Sequence, residues 1–202
     1  LWYGQAKNCD NFILVDLGQG IGLGIVINGT IYEGANLKAG EIGHLIIDPG
    51  GRKCSCGNYG CLESVASGSA ITSIIQEELK KGTRSRVQDL VNGHIDELTA
   101  LEVVEAANMN DPLSIEVLNR AGKQTGKAIS YTIDLFNPEM IVIGGQLSKA
   151  GRHLMDPLIT TLKECTLPSL LQDVAITHSG LGPLSAALGA ATIAINDKIF
   201  SL

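Results

Sequence analysis

The chain has 202 residues, enough for one large domain or two small ones and for a substantial hydrophobic core. Apolar residues make up 45% and charged residues 18%, which is typical of a folded protein rather than a disordered one. The 15 Lys and Arg are outnumbered by 21 Asp and Glu, and no basic run is longer than Lys80-Lys81, so these residues alone make a poor nucleic-acid binder. With no apolar stretch near the ~20 residues of a membrane span and no secretory signal, we expect a cytoplasmic protein that does not bind membranes.

The first third of the chain predicts an antiparallel set of strands. Residues 11–16 form a buried apolar run, and residues 25–27 and 30–33 flank Asn28-Gly29, a dipeptide typical of hairpin turns. Glycine occupies every second position from Gly18 to Gly24, so one strand face is nearly bare and another group, such as a phosphate, can approach the backbone. Glycines that merely shape a hairpin explain the repeat equally well, since it lacks the third glycine of the dinucleotide fingerprint and a Walker lysine.

Three of the five cysteines lie within eight residues, at Cys54, Cys56 and Cys61. An odd number of cysteines without a secretory signal argues against a disulfide framework, whereas thiolates this close together commonly share a metal ion. Zn²⁺ prefers four sulfur or nitrogen ligands in a tetrahedron, and the nearest candidate for the fourth ligand is His44. Glycines between the cysteines allow the tight turns that this spacing requires. The pattern therefore predicts a structural zinc site, and a cluster of reduced, buried cysteines is the alternative.

After the cysteines the pattern alternates between helices and strands. Helices are predicted after the caps at residues 67–69, Thr99 and Asp111-Pro112, and they extend to about residues 80, 108 and 136. Small residues on one face of the third helix predict close packing against a neighbouring element. Further strands are predicted at 140–143 and 173–177, and further helices at 148–165 and 184–195. This order gives an α/β or α+β core, in which Gly144-Gly145 is either a ligand site at a strand end or only a tight turn.

Two segments resemble the signature of the ROK family (repressors, open reading frames and sugar kinases). They are Gly40-Glu41-Ile42-Gly43-His44 and Cys54-x-Cys56-Gly57-x-x-Gly60-Cys61-x-Glu63. The segments Gly20-Ile21-Gly22-x-Gly24-Ile25-Val26-x-x-Gly29 and Asn137-Pro138-Glu139-x-Ile141-Val142-Ile143-Gly144-Gly145 are also similar to the family. The resemblance covers nearly the whole chain, and its His/Cys block is specific, whereas the glycine segments are supportive only.

This resemblance implies an α/β protein with an actin-like ATPase (ribonuclease-H-like) fold, of which residues 1–202 would form the C-terminal lobe with a zinc-bound loop. Because the first residue is Leu1 and not Met, we expect the N-terminal lobe and any DNA-binding domain to lie outside this sequence. The resemblance also implies that Glu41, His44 and Glu63 reach the hydroxyl groups of a bound sugar. The zinc ligands it implies are His44, Cys54, Cys56 and Cys61. A histidine with one ring nitrogen on zinc can donate from the other, which is compatible with both roles of His44.

The resemblance further implies a nucleotide site at Gly18, Gln19, Gly20, Gly144 and Gly145. Two departures from the kinases of the family weaken it, because Gln19 stands where a threonine is common and Gln146 stands where a third glycine is usual. In those kinases the catalytic carboxylate belongs to an Asn-Asp motif upstream of the first strand seen here. The pair Asn110-Asp111 follows the cysteines and is predicted to cap a helix, so no catalytic residue is assigned to this chain.

Three functions are compatible with these residues. The one we expect is the sugar-sensing effector domain of a ROK-family transcriptional regulator, a carbohydrate-responsive repressor that contacts DNA only through a separate N-terminal domain. The second is the C-terminal half of an ATP- and Mg²⁺-dependent sugar kinase of the glucokinase or N-acetylhexosamine kinase type. The third is a zinc-stabilised interaction module without a small ligand. The resemblance implies a small sugar or sugar phosphate as the ligand and a homodimer as the assembly.

Overall fold

The computed structural model of the protein describes residues 4–182 and 185–195. Within these residues the strands are β1 (Phe12–Leu17), β2 (Ile21–Ile27), β3 (Thr30–Ile31), β4 (Met140–Gly144) and β5 (Ala175–His178). They form a mixed sheet in the order β3-β2-β1-β4-β5, in which β1–β2 and β2–β3 are antiparallel pairs and β1–β4 and β4–β5 are parallel pairs. The predicted strands and the α/β class are confirmed, although the return strand of the hairpin has only two residues. The carboxyl ends of β1 and β4 meet at one edge of the sheet.

The helices of the described residues are α1 (Glu63–Ala66), α2 (Gly68–Lys80), α3 (Val87–Leu90), α4 (Ala100–Asn108), α5 (Pro112–Phe136), α6 (Arg152–Cys165), α7 (Pro168–Leu171) and α8 (Ser185–Ile195). Short 3-10 helices cover Ile42–His44, Ile95–Glu97 and Gln146–Ala150. The helix predicted from Ser148 begins at Arg152 instead, because Gly151, with a φ of +54°, separates it from the preceding 3-10 helix. The predicted first residue of the last helix, Leu184, lies outside the described residues. Within the described ranges, no helix combines the length and the apolar character that crossing a membrane requires.

Helix α5 packs along α6 and forms the centre of the helical layer beside the sheet. Gly122 and Gly126 of α5 lie against the backbone of α6, where an added Cβ would collide with the carbonyl oxygens of Leu154 and Leu158. This close approach confirms the packing predicted from the small residues on that face. Because the two backbones are in contact along their buried faces, this helix pair forms a closely packed unit.

Asp111 is buried, and its carboxylate joins the start of α5 to the loop before α3. Its Oδ2 accepts hydrogen bonds from Ser114 N at 2.9 Å, Ser114 Oγ at 2.8 Å and Ser85 Oγ at 2.9 Å, and its Oδ1 accepts from Arg86 N at 2.9 Å. Burial alone would raise the pKa of this carboxyl group, but the hydrogen bonds outweigh burial and hold its pKa below the ordinary value. The structure therefore confirms that Asn110-Asp111 caps a helix.

We expect Asp111→Ala to lower the free energy of unfolding by about 2–3 kcal/mol, because it removes a helix cap and leaves buried donors unpaired. Since the pKa of Asp111 is lower in the folded state than in the unfolded state, its stabilising effect is present above the unfolded-state pKa. The effect is lost as the pH falls through the folded-state pKa, so the two proteins should differ less in acid.

Urea denaturation at neutral pH and in acid measures both effects. Glu116→Ala is the control, because it removes an exposed carboxylate from the same helix. An equal loss of stability in the two variants would contradict the role given to Asp111.

Candidate metal and ligand site

The loop between β3 and α1 brings together the residues predicted to bind a metal. The ligand atoms of His44, Cys54, Cys56 and Cys61 all lie within 4.8 Å of one another. Cys54 Sγ is 3.6 Å from His44 Nδ1, and Cys56 Sγ is 3.7 Å from Cys61 Sγ. In a tetrahedral zinc site with Zn–S bonds near 2.3 Å and Zn–N bonds near 2.0 Å, neighbouring ligand atoms are about 3.5–3.8 Å apart. Both separations therefore match the edges of such a tetrahedron.

Backbone hydrogen bonds and glycines shape this loop. Cys54 N donates to Asn58 O at 2.8 Å and Gly57 N donates to Cys54 O at 3.0 Å, which closes a tight turn between the cysteines. Gly57 and Gly60 have φ values of +98° and +74°, in the left-handed region that favours glycine. A Cβ at Gly60 would also collide with the carbonyl oxygen of Asp48. The turns predicted from the glycines between the cysteines are confirmed.

The cysteines of the cluster differ in their surroundings. Cys61 is buried, and this burial, together with the neighbouring thiols of Cys56 and Cys54, raises the pKa of its thiol to about 12. Cys56 lies on the exposed side of the cluster, where a hydrogen bond from the backbone of Asn58 holds its pKa below the ordinary value. A coordinated cation deprotonates a thiol, so metal binding to these residues would release protons.

Polar side chains attach the loop to helices α2 and α5. Arg52 donates two hydrogen bonds to Glu77 of α2, from Nη1 to Oε2 at 2.7 Å and from Nη2 to Oε1 at 2.6 Å. This pairing holds the pKa of Glu77 below its ordinary value and raises that of Arg52. From α5, Lys127 Nζ donates to Ile47 O at 3.3 Å. The loop that carries the His/Cys cluster is therefore fixed to the helical layer on two sides.

Glu41 and His44 lie on the short 3-10 turn that leads into the loop. His44 Nε2 is 3.8 Å from Glu41 Oε2, while His44 Nδ1 faces the cysteines. Both side chains remain accessible, with exposed fractions of 67% for Glu41 and 35% for His44. Gly43 seats the turn against β2, because a Cβ there would lie 2.6 Å from the carbonyl oxygen of Ile21. One ring nitrogen of His44 thus faces the cysteines, and the other lies on the side of Glu41.

Glu63, the first residue of α1, lies next to the same turn. Its Oε2 accepts a hydrogen bond from Ile21 N at 3.2 Å and is 3.4 Å from the position of a Cβ on Gly43. The side chain is half-buried, between the turn that carries His44 and the start of β2. The structure therefore brings Glu63 to the turn that carries the two other residues predicted to contact a sugar.

The two glycine segments predicted to bind a nucleotide meet at one edge of the sheet. β1 and β4 pair in parallel with Asp16 opposite Gly144. Gly145, with a φ of +84°, lies against the backbone at the end of β1, where a Cβ would collide with main-chain atoms. Gly18 O accepts a hydrogen bond from Gly68 N, the first residue of α2, at 2.9 Å. This edge therefore combines both glycine turns with the beginning of a helix.

Two glutamine side chains lie at this edge. Gln19 Oε1 and Gln19 O lie 3.0 Å and 2.9 Å from the hydroxyl of Ser69, which donates to them. Gln146 Nε2 is buried without a hydrogen-bonding partner among the described residues, and it lies 3.2 Å from the position of a Cβ on Gly68. Side chains, rather than open backbone, therefore occupy part of the space beside the glycine turns.

A family model described as the ROK family matches residues 1–197 of the chain. The chain belongs to the ROK family. The assignment made from the His/Cys block and the glycine segments is confirmed.

Relatives of this ROK chain include both regulators and kinases. It is 36% identical over 185 residues to the DNA-binding transcriptional dual regulator NagC of Escherichia coli, a match that covers 92% of this chain and 44% of NagC. It is 34% identical over 198 residues to the glucokinase of Thermotoga maritima, which covers 98% of this chain and 62% of the glucokinase. The chain thus spans about half the length of the curated relatives it matches.

Solved ROK structures are divided in the same way. A ROK family transcriptional regulator, a homolog of the E. coli MLC protein, superposes with a TM-score of 0.80 at 36% identity, covering 88% of this chain and 43% of the regulator. A ROK family glucokinase from Streptomyces griseus, in complex with glucose and AMPPNP, superposes with a TM-score of 0.83 at 26% identity, covering 94% of this chain and 62% of the glucokinase. The described residues therefore have the actin-like ATPase fold of ROK kinases.

Several contacts of this site are not predicted from the sequence. The hydrogen bond from Ile21 N to Glu63, the Arg52–Glu77 pair and the bond from Ser69 to Gln19 join residues 42, 25 and 50 positions apart. Such contacts depend on how separate elements pack, and no local pattern encodes them. Ser69 alone carries a signal, because it lies in the predicted helix cap.

We expect Gly60→Ala to lower the free energy of unfolding by about 2–4 kcal/mol, because the new Cβ adds a collision with Asp48 to the strain of a positive φ. Gly57→Ala is the matched control, since it has the same kind of φ and nothing within 4 Å of the added Cβ. The control should lose about 1 kcal/mol. Urea denaturation followed by circular dichroism compares the two, and equal losses would contradict the close approach at Gly60.

Proposed function

We infer that His44, Cys54, Cys56 and Cys61 hold a structural zinc ion. The donor set supports this, because three sulfurs and one imidazole nitrogen are the kind of shell that zinc prefers in closed sites. The four atoms lie within 4.8 Å of one another, and two of their separations match the edges of a zinc tetrahedron. When bound, zinc in such a site stabilises the fold and leaves no coordination position for a substrate. Nδ1 of His44 faces the cysteines, so a bound zinc would hold the ring through this atom. Nε2 then stays on the side of Glu41.

We propose that Glu41, His44 and Glu63 bind the hydroxyl groups of a small sugar. Carboxylates accept hydrogen bonds from hydroxyl groups, and an imidazole held through Nδ1 can donate from Nε2. In support, the 3.8 Å approach of His44 to Glu41 and the position of Glu63 beside Gly43 bring such groups to one partly exposed turn. The similarity to a glucokinase in complex with glucose agrees with this class of ligand.

We propose that residues 1–202 form the C-terminal, sugar-sensing part of a ROK-family transcriptional regulator. The observation that carries this choice is the pair of glutamines at the glycine turns, Gln19 bonded to Ser69 and Gln146 packed beside Gly68. A phosphate needs space and free backbone N–H groups, and side chains at this edge reduce the space. In such a regulator the sugar binds one of two conformations more tightly, and a part of the protein outside these residues contacts DNA.

The second candidate is the C-terminal half of a sugar kinase that uses ATP and Mg²⁺. The meeting of both glycine turns at one sheet edge favours it, as does the similarity to glucokinases. Phosphoryl transfer to a sugar also needs a carboxylate that accepts the hydroxyl proton, a role that we assign to no residue of this chain. The homodimer expected from the family stays a prediction.

Metal binding and sugar binding can be separated by substitution. We expect Cys56→Ser to lose zinc and much of the stability, and His44→Gln to lose zinc and sugar binding together. Glu63→Gln should keep its zinc and bind sugar at least ~10-fold more weakly, because it loses a charged hydrogen-bond acceptor.

Elemental analysis measures the zinc content of these variants, and calorimetric titration measures their sugar binding. Cys165→Ser, which removes an exposed thiol outside the cluster, is the control. An unchanged metal content in Cys56→Ser would reject the zinc site.

The choice between regulator and kinase is tested on the intact protein with glucose and N-acetylglucosamine. For a regulator, we expect one sugar to bind and to change the affinity for DNA selected from a random-sequence pool. We expect no sugar-dependent release of ADP from ATP and Mg²⁺ in a coupled assay. Sugar-dependent ADP release would overturn the regulator as a complete account and favour the kinase. If the unmodified protein binds neither sugar, and Glu41→Ala does not differ from it in sugar binding, a zinc-stabilised interaction module would be favoured.

A further inference from the structure

The carboxylate of Glu63 is held by the backbone of the turn between β1 and β2. Glu63 Oε2 accepts a hydrogen bond from Ile21 N at 3.2 Å. A Cβ placed on Gly20 would lie 2.7 Å from the same oxygen, which is too close for the carboxylate to stay where it is. The other oxygen, Oε1, has no hydrogen-bonding partner in the part of the chain that the structure describes. One carboxylate oxygen of Glu63 is thus hydrogen-bonded to the backbone, and the other is available to a ligand.

The backbone conformation of Gly20 does not require glycine. Its φ lies outside the left-handed region, unlike that of Gly29 in the hairpin turn, where φ is +72°. Membership of the alternating glycine pattern does not explain it either. Gly22 belongs to the same pattern, and there an added Cβ would have no atom within 4 Å. The contact with Glu63 is therefore the feature that distinguishes Gly20 from its neighbour in the pattern.

The main chain of Glu63 is fixed from the opposite side. Leu62 N donates to Leu45 O at 2.9 Å, which ties the start of α1 to the end of the turn that carries His44. Gly43 of that turn lies 3.5 Å, at its Cβ position, from Glu63 Cβ. Because the backbone and the Cβ are already set by the metal-binding loop, the hydrogen bond from Ile21 N decides where the carboxylate points.

We propose that Gly20 and the backbone N–H of Ile21 position Glu63, so that Oε2 is held and Oε1 is presented to a hydroxyl group of the sugar. This inference rests on the proposed sugar-binding function. Gly20 acts as a positioning residue, because its lack of a side chain gives the carboxylate room to reach Ile21 N. An alanine at this position pushes the carboxylate off that donor and turns Oε1 away from the ligand. A glycine first assigned to a nucleotide would then serve the sugar.

Gly20→Ala and its matched control Gly22→Ala test this proposal on the intact protein. Each variant adds one methyl group to the same segment, and only the first meets Glu63. We expect glucose or N-acetylglucosamine, whichever the unmodified protein binds, to bind about tenfold more weakly to Gly20→Ala and unchanged to Gly22→Ala. Zinc content should stay the same in both. Equal sugar affinity of Gly20→Ala and the unmodified protein would overturn the proposal.

A second measurement follows the hydrogen bond itself and needs no sugar. By nuclear magnetic resonance, hydrogen exchange at the Ile21 amide should be slow in the unmodified protein and faster in Gly20→Ala and Glu63→Ala. The Glu63→Ala measurement does not depend on the folding of Gly20→Ala. Unchanged exchange in Glu63→Ala would overturn the positioning role.

The two proposals fail in different ways. If the unmodified protein and Gly22→Ala bind neither sugar while exchange at Ile21 responds as expected, the sugar-binding function is wrong and the contact stands.

A shorter carboxylate gives the last check, because Glu63→Asp withdraws the group from residue 20. The loss caused by Gly20→Ala should therefore be smaller in the Glu63→Asp background, and fully additive losses would overturn the proposal.

Discussion

The convergence of His44, Cys54, Cys56 and Cys61 is the constraint on which the rest of the site depends. The loop that carries them contributes few buried apolar side chains, so its shape comes from glycine turns, backbone hydrogen bonds and the ligand atoms that meet within 4.8 Å. A metal ion bound there would stabilise the loop by on the order of 10 kcal/mol, far more than any single contact around it. Glu63 follows Cys61 by two residues, and His44 is itself a member of the cluster. The cluster therefore determines the main-chain position of these two residues, which are candidates for binding a sugar.

From this cluster the contacts form a closed ring. Glu63 joins the loop to the turn between β1 and β2 through Ile21 N, and that turn joins α2 through the carbonyl groups of Gly18 and Gln19. Helix α2 returns to the loop through Glu77, which pairs with an arginine of the loop. Each contact contributes about 0.5–1.5 kcal/mol or less. Since the contacts share rigid elements, a ligand that shifts the carboxylate of Glu63 is physically linked to the glycine turn.

The features that the sequence predicts are those with a local signal. The caps at Ser67, Thr99 and Asp111 are confirmed, and Thr99 forms a capping box with Glu102. The spacing of the cysteines likewise predicts a cluster that the structure brings together. One-turn helices such as α1 are missed because four residues show no helical period. The contact of Glu63 with Ile21 N is missed because it depends on the docking of segments 42 residues apart.

The backbone donors around the glycine turn bear on the choice between sensor and kinase. A phosphate cradle needs N–H groups that are free to bind an anion. Here Gly18 N donates to Gly20 O at 3.1 Å, Ile21 N donates to Glu63, and the first N–H groups of α2 donate to Gly18 O and Gln19 O. The carboxylate of Glu63 also places a negative charge beside the turn, which disfavours a second anion at short range. The N–H groups of Gln19 and Gly20 have no acceptor among the described residues, whereas the other donors of this turn bind the chain itself. The turn therefore offers a phosphate fewer donors than an open cradle does, and one of its donors holds a sugar-binding carboxylate, which supports the proposed sensor.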